Sequence, residues 1–493
     1  MRAMVLGVAG FLTLVLVFAS ELPGWWMDPA GSPRPALANQ NDDDVDDDRA
    51  RRTSVRRRGD GQGLASGLTR GPYLQVAGPD AITIRWQTGA PTRSIVRYGT
   101  SPRDLPFEAE EGTETTEHEV RLTRLQPETR YYYSVAGGTT ILADGPECTF
   151  RTSPPVGAER KVRIWVIGDS GLPGPGQQRV QVAYGAHAGG AETDVWLLLG
   201  DNAYSTGTSK QYQAGFFAPF RKRLRSTVVW PSRGNHDEIR KGPGNDYYDF
   251  FTLPRSGEAG GIPSGTEAYY SFDYANVHFV SLDAERLERD GGSMIEWLRG
   301  DLAATDQDWV IAYWHHPPFS KGSHDSDSDP LMTSARRRLL PVLEEGGADL
   351  VLCGHSHAYE RSFLLDGHYG PSRSLSSTMI LDRGNGRPDG DGPYRKATYG
   401  RPAPHEGTVY VVVGSSSKLG GGPLRHRAHA KSLNVLGSLV VEISGRRLDA
   451  SFVDERLRVA DRFAIAKGDD VTARGTRATW APPGQSTERG GGQ

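Results

Sequence analysis

A β-rich, sandwich-like domain followed by a larger mixed α/β domain, its sheets flanked by helices, is the fold class that this sequence predicts, and three observations predict it. The chain has 493 residues, too many for one ordinary hydrophobic core. Between residues 69 and 153, apolar and polar residues alternate in short runs bounded by turn-forming residues. Between residues 160 and 467, continuous apolar runs of strand length are separated by helix-capable stretches, the pattern of a layered sheet with helices on its faces.

The segments outside these domains read differently. Arg2 precedes an uncharged run from Ala3 to Ser20, rich in Leu, Val and Phe, which reads as an export signal with cleavage near Ser20 or after Ala36-Leu37-Ala38. At about 18 residues the run also borders on bilayer-spanning length, so an uncleaved membrane anchor is the other reading of residues 1–20. In the stretch 21–68, the aspartates of residues 42–48 are followed by the arginines of residues 49–58, without apolar periodicity. Opposed charge blocks of this kind read as a solvated, disordered linker. Residues 468–493 are polar and Gly-rich, a loose tail. A net charge of −3 gives no reason to expect nucleic acid as a partner, and it leaves a membrane as partner only through the N-terminal run. The only cysteines are Cys148 and Cys353, too few for a disulfide scaffold and placed like small buried hydrophobes.

In the first domain, Ala81 to Thr88 and Ser94 to Tyr98 alternate as strands, and Tyr131, Tyr133 and Val135 recur at period two. Trp86 on an early strand and a tyrosine entering a late one are common core pieces of an antiparallel sandwich. The segment closes at Cys148 to Thr152 and resembles a fibronectin type III-like domain, with a structural or spacing role expected. In the second domain, strands are expected at Val162–Ile167, Val195–Leu199, Thr227–Trp230, Val277–Leu282, Trp309–Trp314, Leu350–Leu352 and Val409–Val413. Helices are expected over Met294–Ala304 and Ser334–Glu345, with a closing antiparallel pair at Ser438–Ile443 and Arg447–Val453.

Five of these strands end in a polar residue able to bind metal or phosphate. Asp169 follows the first, Asp201 and then Tyr204 the second, Asn235 and His236 the third, His315 the fifth, and His355 with His357 the sixth. In α/β sheets, ligands gather where strand carboxyl ends open into loops. Glycines before Asp169, Asp201, Asn235 and His355 are expected to serve sharp turns there. A Gly-Asp after a strand is usually only a turn, and a lone histidine is usually a satisfied core residue. The order of all five is what carries the signal.

That order, Gly168-Asp169-Ser170-Gly171, Gly200-Asp201-Asn202-Ala203-Tyr204, Gly234-Asn235-His236-Asp237, Val310 to His315 and Gly354-His355-Ser356-His357, resembles calcineurin-like metallophosphoesterases, and more narrowly purple acid phosphatases. Many relatives carry Asp-x-His at the first motif; here Gly171 stands instead, and Tyr204 is placed to supply a phenolate in its stead. The resemblance implies a four-layer metallophosphoesterase domain behind the sandwich. It implies one ion on Asp169, Asp201, Tyr204 and His357, and a second on Asp201, Asn235, His315 and His355. The centre implied is Fe(III) with Zn(II), Fe(II) or Mn(II). His315-His316 is a doublet, and position after the strand favours His315. The insertion from about Ser372 to Arg401 has no reading.

The activity implied is acid phosphatase action on phosphomonoesters by metal-held hydroxide, with small phosphorylated substrates as partners. His236 would meet the phosphoryl group or leaving oxygen, and His324 is a candidate second acid, with a solvated loop histidine as the equal alternative. Asp237 is expected to orient His236. A phosphodiesterase or nucleotide pyrophosphatase on the same core is the rival within enzymes, and an inactive surface-displayed binding protein the rival outside them.

Overall fold

The computed structural model describes residues 67–237 and 247–468. The expectations for the export signal or anchor at 1–20, for the linker up to residue 66 and for the tail beyond Gly468 lie outside the described residues.

The first domain consists of β1 (Leu68–Gln75), β2 (Ile82–Gly99), β3 (Phe107–Leu122), β4 (Arg130–Gly137), β5 (Thr140–Ala143) and β6 (Thr149–Arg151). Ile82, Ile84 and Trp86 alternate into its core with Val120, Leu122, Tyr131, Tyr133 and Phe150. Two separate strands were expected at 81–88 and 94–98; the chain makes them one, β2, whose pairing with β3 shifts register between Gln87 and Ser94. The exposed Gly89-Ala90-Pro91 arch absorbs the bend, so the first half of β2 pairs with β1 and the second with β4. Cys148 and Cys353 are both buried free thiols.

The second domain begins with β7 (Val162–Ile167), α1 (Pro175–Ala188), β8 (Val195–Leu199), α2 (Ser209–Tyr212), α3 (Ala218–Leu224), β9 (Val229–Ser232) and α4 (Tyr247–Phe250). It continues with β10 (Tyr270–Tyr274), β11 (Val277–Ser281), α5 (Ser293–Ala304), β12 (Trp309–Trp314), α6 (Pro330–Arg338), α7 (Leu340–Glu345) and β13 (Leu350–Cys353). After these come β14 (Tyr359–Ser362), β15 (Leu364–Leu365), β16 (Ile380–Asp382), β17 (Tyr394–Lys396) and β18 (Val409–Val413). The chain closes with β19 (His429–Leu433), β20 (Gly437–Ser444), β21 (Arg447–Asp454) and β22 (Val459–Lys467). Pro341, which has no N–H to donate, divides the helix expected over 334–345 into α6 and α7.

Two seven-stranded sheets result, ordered β10-β11-β12-β13-β18-β14-β19 and β17-β22-β21-β20-β7-β8-β9. Within them β11, β12, β13 and β18 run parallel, as do β7, β8 and β9. Ile311, Tyr313, Leu350, Leu352 and Val411 share one core with Ile164, Val166, Leu197, Leu199 and Val441 of the other sheet. The alternate residues Val310, Ala312, Trp314, Val351 and Cys353 instead join Leu298, Leu302, Ala335, Leu339 and Leu343 from α5 to α7. On the far face of the other sheet, Trp165 stacks on Trp196 and on Tyr184 of α1, and Trp196 meets Phe220 of α3 at a tilt. Buried on both faces, these strands are continuous apolar runs, and the layers stand helix, sheet, sheet, helix.

The first domain shares this core. The Tyr73 hydroxyl donates to the Phe250 carbonyl at 2.9 Å, that of Tyr133 to the Arg225 carbonyl at 2.9 Å, and the Arg70 guanidinium lies over Phe217 and Phe250. The 372–401 insertion supplies β17, an edge strand parallel to β22. Its Lys396 meets the buried Asp349 carboxylate at 2.6 Å, and Lys467 of β22 meets the same group at 2.7 Å.

A second buried ion cluster stands on the β10–β11 hairpin. The His278 ring lies 2.8 Å from Asp273 and 2.9 Å from Asp301. Burial by itself would lower this imidazole, but the two carboxylates hold it up at about 9. A raised folded-state pKa contributes stability that is full below the unfolded value near 6.5 and is lost as pH rises through 9. We therefore expect thermal stability to fall between pH 7 and pH 9.5 by on the order of 3 kcal/mol from this site. His278→Gln should flatten that slope. An equally steep decline in the variant would assign the pH dependence elsewhere.

Candidate metal centre

Five loops leave the carboxyl ends of β7, β8, β9, β12 and β13 where the two sheets meet, and they bring together side chains from Asp169 to His357. Three of the five loops hold a backbone geometry unusual for their residue types. Asp169, Asp201 and His355 hold left-handed φ values of 53°, 54° and 65°. Such a conformation costs an L-residue roughly 1–3 kcal/mol and persists only where its surroundings impose it. Of the four glycines expected to serve turns, only Gly200 is left-handed, at φ 86°. The others answer to space. A methyl on Gly234 would lie 2.2 Å from the Asp201 nitrogen, and one on Gly354 would lie 2.6 Å from Asp169 Oδ2.

The donors form two adjoining groups with one member in common. Asp169 Oδ2 accepts from the His355 N–H at 2.8 Å, leaving Oδ1 toward the Tyr204 hydroxyl at 3.1 Å and His357 Nε2 at 3.4 Å. Asp201 Oδ2 accepts from the same Tyr204 hydroxyl at 2.8 Å. Its Oδ1 turns the other way, accepting the His236 N–H at 2.9 Å and lying 3.3 Å from His315 Nε2. Asn235 Oδ1 stands 3.0 Å from His315 Nε2 and 3.0 Å from His355 Nδ1. His315 Nδ1 donates to the Leu199 carbonyl at 2.7 Å, which points Nε2 inward. The ligand atoms of Asp169, Asp201 and His315 all lie within 4.8 Å of one another.

The charge balance calls for cations. Asp169 and Asp201 are 0% and 1% exposed, and among the described residues neither is paired with lysine or arginine. Buried carboxylates without a counter-charge are strongly disfavoured. Burial alone would lower the His315 imidazole, yet Asp201 beside it holds it up at about 10. Burial, with Asp169 and Asp201 adjacent, pushes the Tyr204 phenol well above its ordinary range. Only a strongly charged ion would draw the proton from that phenol. Two carboxylates and a phenol with one imidazole on one side, and amide and imidazole donors on the other, fit a pair of ions, one of them strongly oxophilic.

The remaining expected residues are placed as follows. His236 lies against the Tyr204 ring, centroids 4.8 Å apart, with Nδ1 2.7 Å from the Ser205 carbonyl. His316 packs on His355, ring centroids 4.2 Å apart, with its Nε2 3.4 Å from Glu285. His324 is half-buried rather than solvated, stacked on His355 at 3.9 Å. Burial and the neighbouring His355 and His357 bring it down to about 3. Asp237 does not bond the His236 ring. It accepts from Asn202, Gly234 and Tyr212, bracing the turns that carry Asp201 and Asn235. Burial and the nearby Asp201 carboxylate raise it to about 6.

Sequence reasoning missed the loop that follows β18. The Ser417 hydroxyl donates to the Asp169 carbonyl, the Gly420 N–H donates to the His357 carbonyl at 3.1 Å, and Lys418 Nζ lies 4.5 Å from the centre of the Tyr204 ring. The signal was present, since this loop too leaves the carboxyl end of a parallel strand, but Gly414 to Lys418 contains no residue type that ligates metals.

Comparison with known proteins agrees with this architecture. The calcineurin-like phosphoesterase profile matches residues 162–359, and the purple acid phosphatase N-terminal domain matches residues 69–152. Purple acid phosphatase 21 of Arabidopsis thaliana is 28% identical over 309 residues, covering 59% of this chain and 65% of the relative. Purple acid phosphatase 15 of the same plant is 29% identical over 338 residues, covering 57% of this chain and 62% of its own. The chain thus spans somewhat under two thirds of these relatives. Among solved structures, purple acid phosphatase PPD1 from yellow lupin (Lupinus luteus) seeds superposes with a TM-score of 0.62 at 18% identity, covering 81% of this chain and 74% of that one. With the sandwich in front, the four layers behind it and these donors at the strand ends, the chain belongs to the purple acid phosphatase family.

Proposed function

We propose that this chain is an exported hydrolase of phosphoric monoesters, an acid phosphatase built on two metal ions. The observation that carries the reading is the Asp201 carboxylate, one oxygen turned to Tyr204 and the other to His315, so that a single group serves two adjoining sets of donors. One ion takes Asp169, Asp201, Tyr204 and His357; the other takes Asp201, Asn235, His315 and His355. The phenol favours Fe(III) at the first position, with Zn(II), Fe(II) or Mn(II) at the second. Export rests on the composition of Arg2 to Ser20, and the partners are small phosphorylated substrates rather than nucleic acid.

When bound, the metal pair supplies Lewis acidity, lowering the pKa of water and drawing charge from the phosphoryl oxygens. The chain's own groups do the rest. His236, fixed through Nδ1 on the Ser205 carbonyl, hydrogen-bonds the phosphoryl group or the leaving oxygen. His324 gives a proton to the leaving alkoxide. A phosphate dianion beside it supplies the counter-charge that its histidine neighbours withhold. Asp237, Ser417 and Gly420 hold the loops so that none of the donors has to reorganise.

Purified protein should carry about two metal ions per chain and hydrolyse p-nitrophenyl phosphate at mildly acidic pH. Asp201→Ala should lose both ions together, by metal analysis; full retention would remove the shared carboxylate. Tyr204→Phe should abolish a visible phenolate-to-iron band, and persistence of that band would assign it to another group. His236→Ala should keep its metals while kcat falls by roughly 100-fold. An unchanged kcat would exclude His236 from the chemistry.

A further inference from the structure

For an imidazole at a metal centre, the partner of its outer nitrogen decides which tautomer forms and where the ring points. His315 has such a partner in the Leu199 carbonyl, 2.7 Å from Nδ1. His355 does not. Its Nδ1 stands 3.0 Å from Asn235 Oδ1, on the side of the donors, while its Nε2 is buried and meets no hydrogen-bond partner at normal length. The carboxylate within reach of that nitrogen is Asp329, with Oδ2 at 3.8 Å. Asp329 is itself fixed by other bonds. It caps α6, its Oδ1 accepting the Met332 N–H at 3.0 Å and Pro330 opening the helix, and its own N–H donates to the Asp325 carbonyl at 2.9 Å. The buried Arg336 ties α6 to the loop after β12, donating to the Pro318 and Ser326 carbonyls at 3.0 and 2.8 Å. One oxygen of Asp329 is thus committed to the helix, and the other is left toward His355. The donor atoms of His324, Asp329 and His355 all lie within 4.8 Å of one another, and among the described residues no lysine or arginine pairs with Asp329.

We infer that Asp329 is a positioning residue for the second ion: its Oδ2 accepts the His355 Nε2–H, which leaves the Nδ1 lone pair free and aimed beside Asn235 and His315. The inference rests on the two-ion reading above and deepens it. A neutral imidazole carries one proton, so a ring that ligates through Nδ1 must keep that proton on Nε2. A buried N–H with no acceptor costs free energy, and the carboxylate removes that cost while making the ring a better donor to the metal. The present 3.8 Å is longer than a formed hydrogen bond, and a movement of about 1 Å brings the two atoms to bonding length. His324 and His316 pack against the same ring, centroids 3.9 and 4.2 Å away, which limits how far it can turn.

The test compares the full chain with its variants D329N and D329A. Asparagine still caps α6 through its amide oxygen, but it then turns an NH2 donor toward His355 and so favours the proton on Nδ1, where the ion has to bind. Metal-depleted protein is reloaded with Fe(III) and titrated with Zn(II) by calorimetry, with the visible spectrum and the melting temperature read on the same samples. D329N should bind Zn(II) about 10- to 100-fold more weakly, while the iron band and the melting temperature hold. D329A should show the same weakening with a lower melting temperature, since the cap is lost as well. Unchanged Zn(II) affinity in D329N would overturn the inference. So would loss of both ions with a lower melting temperature in D329N, the mark of a purely structural role. If the wild type takes up fewer than two ions, the two-ion reading fails, and nitrogen NMR of the metal-free chains decides, with the His355 signals identified by their loss in H355Q. A proton on Nε2 in the wild type and on Nδ1 in D329N upholds the role of Asp329, and the same tautomer in both ends it.

Discussion

Two carboxylates, Asp169 and Asp201, are buried side by side against one phenol, with no lysine or arginine paired to either among the described residues. Much else in the molecule answers to that arrangement. Two buried anions with only the His315 imidazole to offset them disfavour the folded state unless cations enter, so the fold is a container whose contents complete it. The left-handed backbone at Asp169, Asp201 and His355 is tolerated because the aim of the donors depends on it. Gly234 and Gly354 are glycines because the carboxylates pass within 3 Å of where a side chain would begin.

Rigidity around the centre comes from charge as well as from apolar packing. Asp349 lies at the start of β13, whose far end carries His355, and it is held by Lys396 and Lys467 from two other strands. Arg361, on the strand after His357, pairs with Asp461 at 2.7 Å while the Tyr359 hydroxyl donates to the same carboxylate at 2.8 Å. Removing one member of such a buried set strands its partners in the core, a cost of about 3–5 kcal/mol. The insertion at 372–401, silent in sequence, takes part in this bracing through Lys396 and Tyr394, whose hydroxyl lies 3.0 Å from Arg361. The β-rich domain contributes similarly, since its tyrosines and Arg70 enter the same core as the α/β layers.

Histidines line the other side of the basin, and the charges facing them separate their behaviour. His315 borders Asp201 and is driven toward the charged form, whereas His316, one residue on, faces other imidazoles and is driven by burial well below its usual range. The two rings of the doublet part beyond the end of β12: His315 Nε2 lies 3.3 Å from Asp201 Oδ1 and 3.0 Å from Asn235 Oδ1, whereas His316 Nε2 lies 3.4 Å from Glu285. His324 reaches the centre only because its loop is tied back through the Ser320, Ser356 and Glu360 network.

What the amino-acid order determined by itself was local. Apolar runs at Val162–Ile167, Val195–Leu199, Trp309–Trp314 and Val409–Val413 are strands with those same limits, because strands buried on both faces are near-continuous apolar sequence, Arg163 being the one charged residue among them. The donor positions were legible for a related reason, since polar residues immediately after such runs can only lie at strand ends. Tertiary structure decided the rest. The long β3, rich in glutamate, does not alternate like a core strand because much of it is exposed. The division of labour within Asp201, the meeting of His316 with Glu285 and the arrival of Lys418 over Tyr204 depend on chain segments far apart in sequence. Only the packing of one sheet on the other sets the distances between them, and no local pattern records it.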